Sequence, residues 1–215
     1  MVDAYRKQIE DAYQRNADRP TAFIDESYRG PKEPGRRFYI LTAVIVEHHA
    51  LDELRSGIEE IADKEKWHTV DELQTNSGTE KTKDMLAYLG EGDEISVLAM
   101  STSVDANDTD LEGARRDCMT ALLPSLQAGT STRDPVKLAV LEQRQNRAVQ
   151  NRDAHTHKEL VTNGALDRTF RLLQTSPRYE HLLWLPDLVS SAVRRRETKN
   201  KVDLFDLIKH NIEML

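Results

Sequence analysis

Three carboxylates stand where apolar runs end or helices begin. Asp25 closes Ala22-Phe23-Ile24, Glu142 closes the run from Pro135 to Leu141, and Asp187 follows Pro186 at a natural helix start. Two or three carboxylates brought to one point are what a hard cation such as Mg²⁺ or Mn²⁺ takes, through oxygen ligands and with several waters retained. Two such ions can activate water and stabilise the leaving oxygen of a phosphodiester. Glu26 is adjacent to Asp25, and successive strand residues point to opposite faces, so both acids reach one site only if the strand ends between them. Spacing alone does not make a site. An acid at a strand end is most often a solvated loop residue, and a carboxylate in a first helical turn is favoured by the dipole.

Basic residues lie near these acids in the chain. Arg144, Arg147 and Arg152 follow the Glu142 strand, and Arg194-Arg195-Arg196 follow the Asp187 helix. They are candidates to contact phosphates, against the alternative of a surface loop and of a cationic helix end. His155 and His157 are two apart, which does not put them on one helix face. His68 beside Trp67 is a candidate for a site edge. Cys118 shares helical spacing with Ala114 and Leu122 and reads as core. No Gly-rich phosphate loop and no Gly-x-Ser-x-Gly elbow is present.

Strands must position the acids. Residues 21–25 predict a short strand, and "RGPKEPGRR" (29–37) is turn chemistry. The continuous run 37–46 predicts a strand buried on both faces, pairing with the first as a hairpin. Helices are expected over 49–66 and 79–90, with Thr69 and Glu72 at capping-box spacing between them. A third strand is expected over 94–104, and a helix over 110–127 that is interrupted near Pro124 and preceded by a Thr109/Glu112 capping pair. Strand 135–142, a helix over 156–174, a strand over 179–185 and a helix over 187–197 follow. Short amphipathic segments, 3–16 and a helical tail 203–215, flank the rest. Strands alternating with helices after an opening hairpin predict an α/β fold with a mixed sheet.

The 215 residues suit one domain with appendages. Acidic residues outnumber basic ones, 37 to 30, giving a net charge of −7. That balance argues against nucleic acid as a partner unless a local basic patch overrides it. One cysteine excludes a disulfide within the chain and a cysteine-built zinc cluster. The N-terminus has no apolar core of the signal-peptide kind, and no run has the length of a membrane span. The expectation is a cytoplasmic protein with no membrane partner.

"FIDES", followed by a loop and "FYILTAVIV", resembles the opening of the bacterial and phage family known as domain of unknown function 3800. Its members typically begin with a strand ending Asp-Glu-Ser-Gly and close with a helix opened by an aspartate. Here "LLWLPDLVSSAVRR" is similar to that closing stretch, with Asp187 in the aspartate position, and "KWHTVDEL" fits between. The sequence departs from the family pattern at Tyr28, which replaces glycine, at Trp184-Leu185-Pro186, which replaces Gln-x-Ala, and at Glu142, where an aspartate is usual. The resemblance covers about residues 20–197 and implies an RNase H-like fold: a mixed five-stranded sheet flanked by helices, with extra terminal helices. The expected division is an N-terminal helical appendage (1–18), the RNase H-like domain (19–200) and a C-terminal helical tail (201–215), with the terminal helices able to support a homo-oligomer. It also implies that Asp25, Glu142 and Asp187 meet as ligands of Mg²⁺ or Mn²⁺, with Glu26 beside them. The function implied is a metal-dependent nuclease acting on DNA or RNA. The alternative is a catalytically idle RNase H-like module that binds protein or nucleic acid in a mobile-element or defence system.

Overall fold

The computed structural model of this protein describes every residue except 1, 103, 106 and 145, and the side chains of 2–5 are likewise outside the description. The side chain of Ala4, on the expected apolar side of the first segment, and residue 103 of the expected third strand fall there. Helix α1 (Val2–Arg15) precedes β1 (Thr21–Arg29) and β2 (Phe38–Val46). Helices α2 (Leu51–Ala62), α3 (Thr69–Glu72) and α4 (Asn76–Glu91) lead to β3 (Ile95–Ser101). Then come α5 (Glu112–Ala128), β4 (Leu138–Glu142), α6 (Arg147–Thr162), β5 (Arg171–Thr175), α7 (Trp184–Lys199) and β6 (Ile212–Met214).

The sheet order is β5-β4-β1-β2-β3-β6. β2 runs antiparallel to β1 and β3, and every other pairing is parallel. β4 lies beside β1, as the sequence resemblance implies, so the strands ending in Asp25 and Glu142 are central neighbours. Strand β2 is buried at all nine positions, because helices cover both of its faces. On one face Phe23, Ile40, Val44 and Val140 pack with Leu54 and Ile58 of α2, Leu86 of α4 and Leu188 of α7. On the other, Ala22, Ile24, Leu41 and Ala139 pack with Cys118, Leu122 and Leu126 of α5 and with Leu160 of α6. Pro124 sits inside α5 without ending it.

The structure corrects several expectations. The sheet has six strands rather than five. The tail 203–215 is no helical appendage: short 3-10 turns at Phe205–Leu207 and Lys209–Asn211 lead into β6, which joins the edge of the sheet along β3. Leu204 and Ile208 are fully buried in the core. Gly90 explains the close seating of this segment, since a Cβ there would collide with the Leu207 carbonyl oxygen. The expected strand 179–185 is instead a 3-10 turn (His181–Leu183) running into α7, whose first turn contains Pro186 without loss of a hydrogen bond. A short apolar run such as "HLLWL" fits a buried helix as well as a strand. The fifth strand is Arg171–Thr175, inside the stretch read as helix 156–174. Its "RLLQT" is only half-buried at the sheet edge and carries little apolar signal. Thr69 does not cap a helix over Glu72. Thr75 caps α4 by accepting from Gly78 N–H at 2.9 Å, and Asp108, not Thr109, accepts from Ala114 N–H at 2.9 Å in the first turn of α5.

The N-terminal helix buries Ile9 and Tyr13 against its own domain. Tyr13 donates to Glu180 at 2.6 Å, and Arg55 holds the same carboxylate at 3.0 Å. Ile9, Tyr13, Leu204 and Ile208 of the two terminal segments are thus used within the chain, whereas Val202, Met214 and Leu215 are exposed. No described helix is long and apolar enough to cross a membrane.

Candidate functional site

Strand alternation separates the two adjacent acids. Asp25 follows Phe23 on the α7 side of the sheet, whereas Glu26 follows Ile24 on the α5 side. The parallel pairing of β1 with β4 runs to Ile24 opposite Leu141. Asp25 and Glu142 are the next residue on each strand, so they lie level, on neighbouring strands about 4.8 Å apart. Glu142 alternates with Leu138 and Val140, which pack on the α7 side, so it points to the same face as Asp25. Asp187 comes to that face from the first turn of α7, which is seated by Leu188, Val189, Ala192 and Val193.

Burial and mutual charge dominate the electrostatics. Asp25 is 9% exposed. Its carboxyl is held well above the usual range by burial first, then by the charges of Glu26, Glu142 and Asp187. Glu142 is pushed up to about 7 by burial, Asp187 and Glu26. Asp187 is raised by burial, against the opposing pull of the Thr69 N–H and hydroxyl, the His68 charge and the Ser191 hydroxyl. The Thr69 N–H donates to Asp187 Oδ2 at 2.9 Å. A hydrogen bond to the ionised form favours ionisation, while desolvation and like charge disfavour it. The sign for the cluster as a whole is therefore toward proton uptake.

A set of hydroxyls surrounds these acids, and sequence reasoning missed them. Thr42 lies opposite Asp25 on β2 and accepts from Ser190 of α7 at 2.8 Å. Thr175, the register partner of Glu142 on β5, is 2% exposed, and its hydroxyl has no partner. The available signals were Thr42 inside an otherwise apolar run and Ser190-Ser191 on the buried side of α7. The donor chemistry fits a hydrated hard cation: oxygen ligands from three carboxylates, with an orphaned buried hydroxyl beside them that a metal-bound water would satisfy. Among the described residues, no three His, Cys, Asp or Glu side chains are already drawn close enough together to hold an ion.

Glu26 is engaged elsewhere. It pairs with Arg115 at 2.9 Å, and Arg115 also bonds Asp153 at 2.7 Å and the Tyr39 hydroxyl at 2.7 Å. Arg144 continues this network to Asp153 at 3.2 Å and to Glu112. Arg194 is bonded to Glu33 at 2.6 Å, Arg195 lies 3.7 Å from Asp203, and Arg196 pairs with Glu197 and covers the Phe205 ring at 4.0 Å. Arg147 is exposed at the start of α6. Arg152 pairs with Asp110 at 3.1 Å. Of the six arginines singled out for phosphate contact, five are thus ion-paired within the chain. His155 is exposed beside Glu159 at 3.3 Å, and His157 is half-buried against Phe170. Cys118 is a buried free thiol pushed up to about 11 by burial. His68 does reach the site: it contributes charge to Asp187 and lines a cavity with Trp67, Ser176 and Arg178. A larger cavity, about 620 Å³, is bounded by Ile45 and Ile95 at the opposite end of the sheet.

The strand order, the single antiparallel strand and the helices on both faces make this a mixed α/β fold with β1 and β4 as central neighbours. No family model matches the chain, and no curated protein matches it. Two solved structures are similar. Bst-RNase HIII in complex with Mn²⁺ has a TM-score of 0.47 and 11% identity, covering 88% of this chain and 56% of that one. A glutamine-to-alanine mutant of Bst-RNase HIII has a TM-score of 0.36 and 10% identity, covering 89% and 58%. The chain therefore spans somewhat over half the length of these structures.

Proposed function

We propose that this protein is a divalent-metal-dependent phosphodiesterase of nucleic acid, with Asp25, Glu142 and Asp187 as the residues that would hold Mg²⁺ or Mn²⁺. One observation carries the reading. Three carboxylates, from two central strands and a helix, stand on the same face of the sheet, where burial raises each of them and neighbouring acids raise Asp25 and Glu142 further. A bound cation would supply activated water and charge neutralisation at the phosphate. Asp25, the most buried of the three, would be the central ligand, with Glu142 and Asp187 completing the set. Thr69 and Ser191 orient Asp187, and the Thr42–Ser190 bond fixes α7 against β2 beneath it. Glu142, pushed up to about 7, is suited to take up or release a proton. Glu26 acts through Arg115 on the other face. The reading accords with the resemblance to the domain of unknown function 3800 family. The buried free Cys118 suits a reducing, cytoplasmic setting.

A second reading, an idle RNase H-like module, is favoured by one observation: Arg144, Arg194, Arg195 and Arg196 are engaged by acids of this chain, which leaves less charge for phosphate. Calorimetric titration with Mn²⁺, together with cleavage of DNA and RNA oligonucleotides, separates the two. Asp25→Asn keeps the size and removes the charge, so it is expected to lose Mn²⁺ binding while remaining folded. Equal Mn²⁺ affinity in the two proteins, or no binding to wild type at millimolar metal, rejects the metal site. Metal binding without cleavage leaves the idle module.

A further inference from the structure

Directly behind Asp25, on the α5 face of β1, lies a cavity of about 420 Å³ lined by Glu26, Tyr28, Tyr39, Leu111, Arg115 and Arg144. That volume is in the range of small-molecule sites. Tyr28 and Tyr39 are register partners across β1 and β2. Their rings stack at 5.8 Å with 7° between planes. Tyr39 is 3% exposed, with its hydroxyl fixed by Arg115, whereas Tyr28 is 44% exposed. The buried ring therefore holds the exposed one in place, giving a rigid aromatic platform that loses little entropy on binding.

The walls are polar, and their two arginines are held by three carboxylates. Arg115 answers Glu26 and Asp153, and Arg144 answers Glu112 and Asp153. Such a lining suits a neutral, hydrogen-bonding, flat group better than a phosphate. Among the described residues the buried Arg144 Nε–H has no partner, which leaves it as a donor. Tyr28 stands three residues beyond Asp25, roughly 10 Å along the strand, and on its opposite face; the pairing of β1 with β4 ends at Ile24, so a chain engaged at the carboxylates would pass over that edge of β1 to reach the platform.

We propose that this cavity is a nucleobase subsite, in which one base of a single-stranded substrate that engages the carboxylates stacks on Tyr28 across the edge of β1. The proposal rests on the nucleic-acid reading above and narrows it to single strands, because a base held in a duplex cannot enter such a cavity without leaving its stack.

The test is fluorescence anisotropy of labelled DNA and RNA oligonucleotides with the full chain, in millimolar Ca²⁺ in place of Mg²⁺. The probes are the single strand, its duplex, and a single strand with abasic positions. Wild type is expected to bind single strands in preference to duplex or abasic strand. Tyr28→Ala should weaken that binding roughly tenfold, the loss of one base–aromatic stack, and Tyr28→Phe should retain it. A 2-aminopurine probe should be quenched by wild type and not by Tyr28→Ala. Because Tyr28 is largely exposed, the variant is expected to fold, and far-UV circular dichroism checks this. Unchanged affinity in folded Tyr28→Ala, or equal binding of the abasic strand, overturns the subsite while leaving the metal site standing. Absence of binding to every oligonucleotide overturns the subsite together with the nucleic-acid reading.

Discussion

Removing the charge of Glu142 should change how stability depends on pH. Its carboxyl rises from an ordinary 4.5 to about 7 in the fold. A carboxyl whose folded pKa is raised contributes stability that is fully present below the unfolded value and is lost as pH climbs through the folded value. Metal-free protein should therefore become less stable between about pH 5 and pH 8, opposite to the usual trend for salt-bridged acids. The rise corresponds to roughly 3 kcal/mol at about 1.4 kcal/mol per pH unit. Glu142 is partly exposed, so solvent screening reduces this to about 1–2 kcal/mol. The assay is urea unfolding of wild type and Glu142→Gln in EDTA across that window. Taking the difference between the two proteins cancels shared terms such as the depressed His157, whose burial gives the opposite slope. Wild type should lose about 1–2 kcal/mol more than the variant as pH rises, and Mn²⁺ should restore it at pH 8 without restoring the variant. Parallel pH profiles for the two proteins would refute the argument that crowding and burial raise this carboxyl.

Other consequences follow from the packing. Asp25→Asn should be more stable than wild type in EDTA at pH 8 and lose that advantage in saturating Mn²⁺, read by thermal unfolding. Arg115→Met would take a buried cation from Glu26, Asp153 and the Tyr39 hydroxyl, leaving Asp153 to Arg144 alone, and should cost about 3 kcal/mol in urea unfolding. Tyr13→Phe removes the hydrogen bond to Glu180 while Arg55 keeps that carboxylate paired, so the loss should be about 1 kcal/mol. Ile208→Ala empties a fully buried position and should cost about 2–4 kcal/mol. Gly90→Ala should displace the tail by clashing with Leu207, read as faster hydrogen exchange in β3 and β6. Native-like β3 protection in that variant would count against the docking described.

The sequence alone determined the central strands and the candidate acids, because the signals there are local. A continuous apolar run such as "FYILTAVIV" must be buried on both faces, and an acid that ends such a run is conspicuous. Alternation on β1 also made it legible that Asp25 and Glu26 part company unless the strand stops, and the strand does not stop until Arg29. What the sequence left undecided depends on contacts between distant segments. Whether "HLLWL" is strand or helix is set by the core beneath α7, and "RLLQT" becomes a strand only because β4 offers it an edge. The tail reads as an amphipathic helix until β3 presents unpaired backbone for β6. Glu26 chooses Arg115, and Thr69, Thr42 and Ser190 gather around Asp25 and Asp187, only through tertiary packing. Hydrogen bonds between residues 118 and 148 positions apart leave no periodic trace in the chain, since neither partner's local pattern depends on the other.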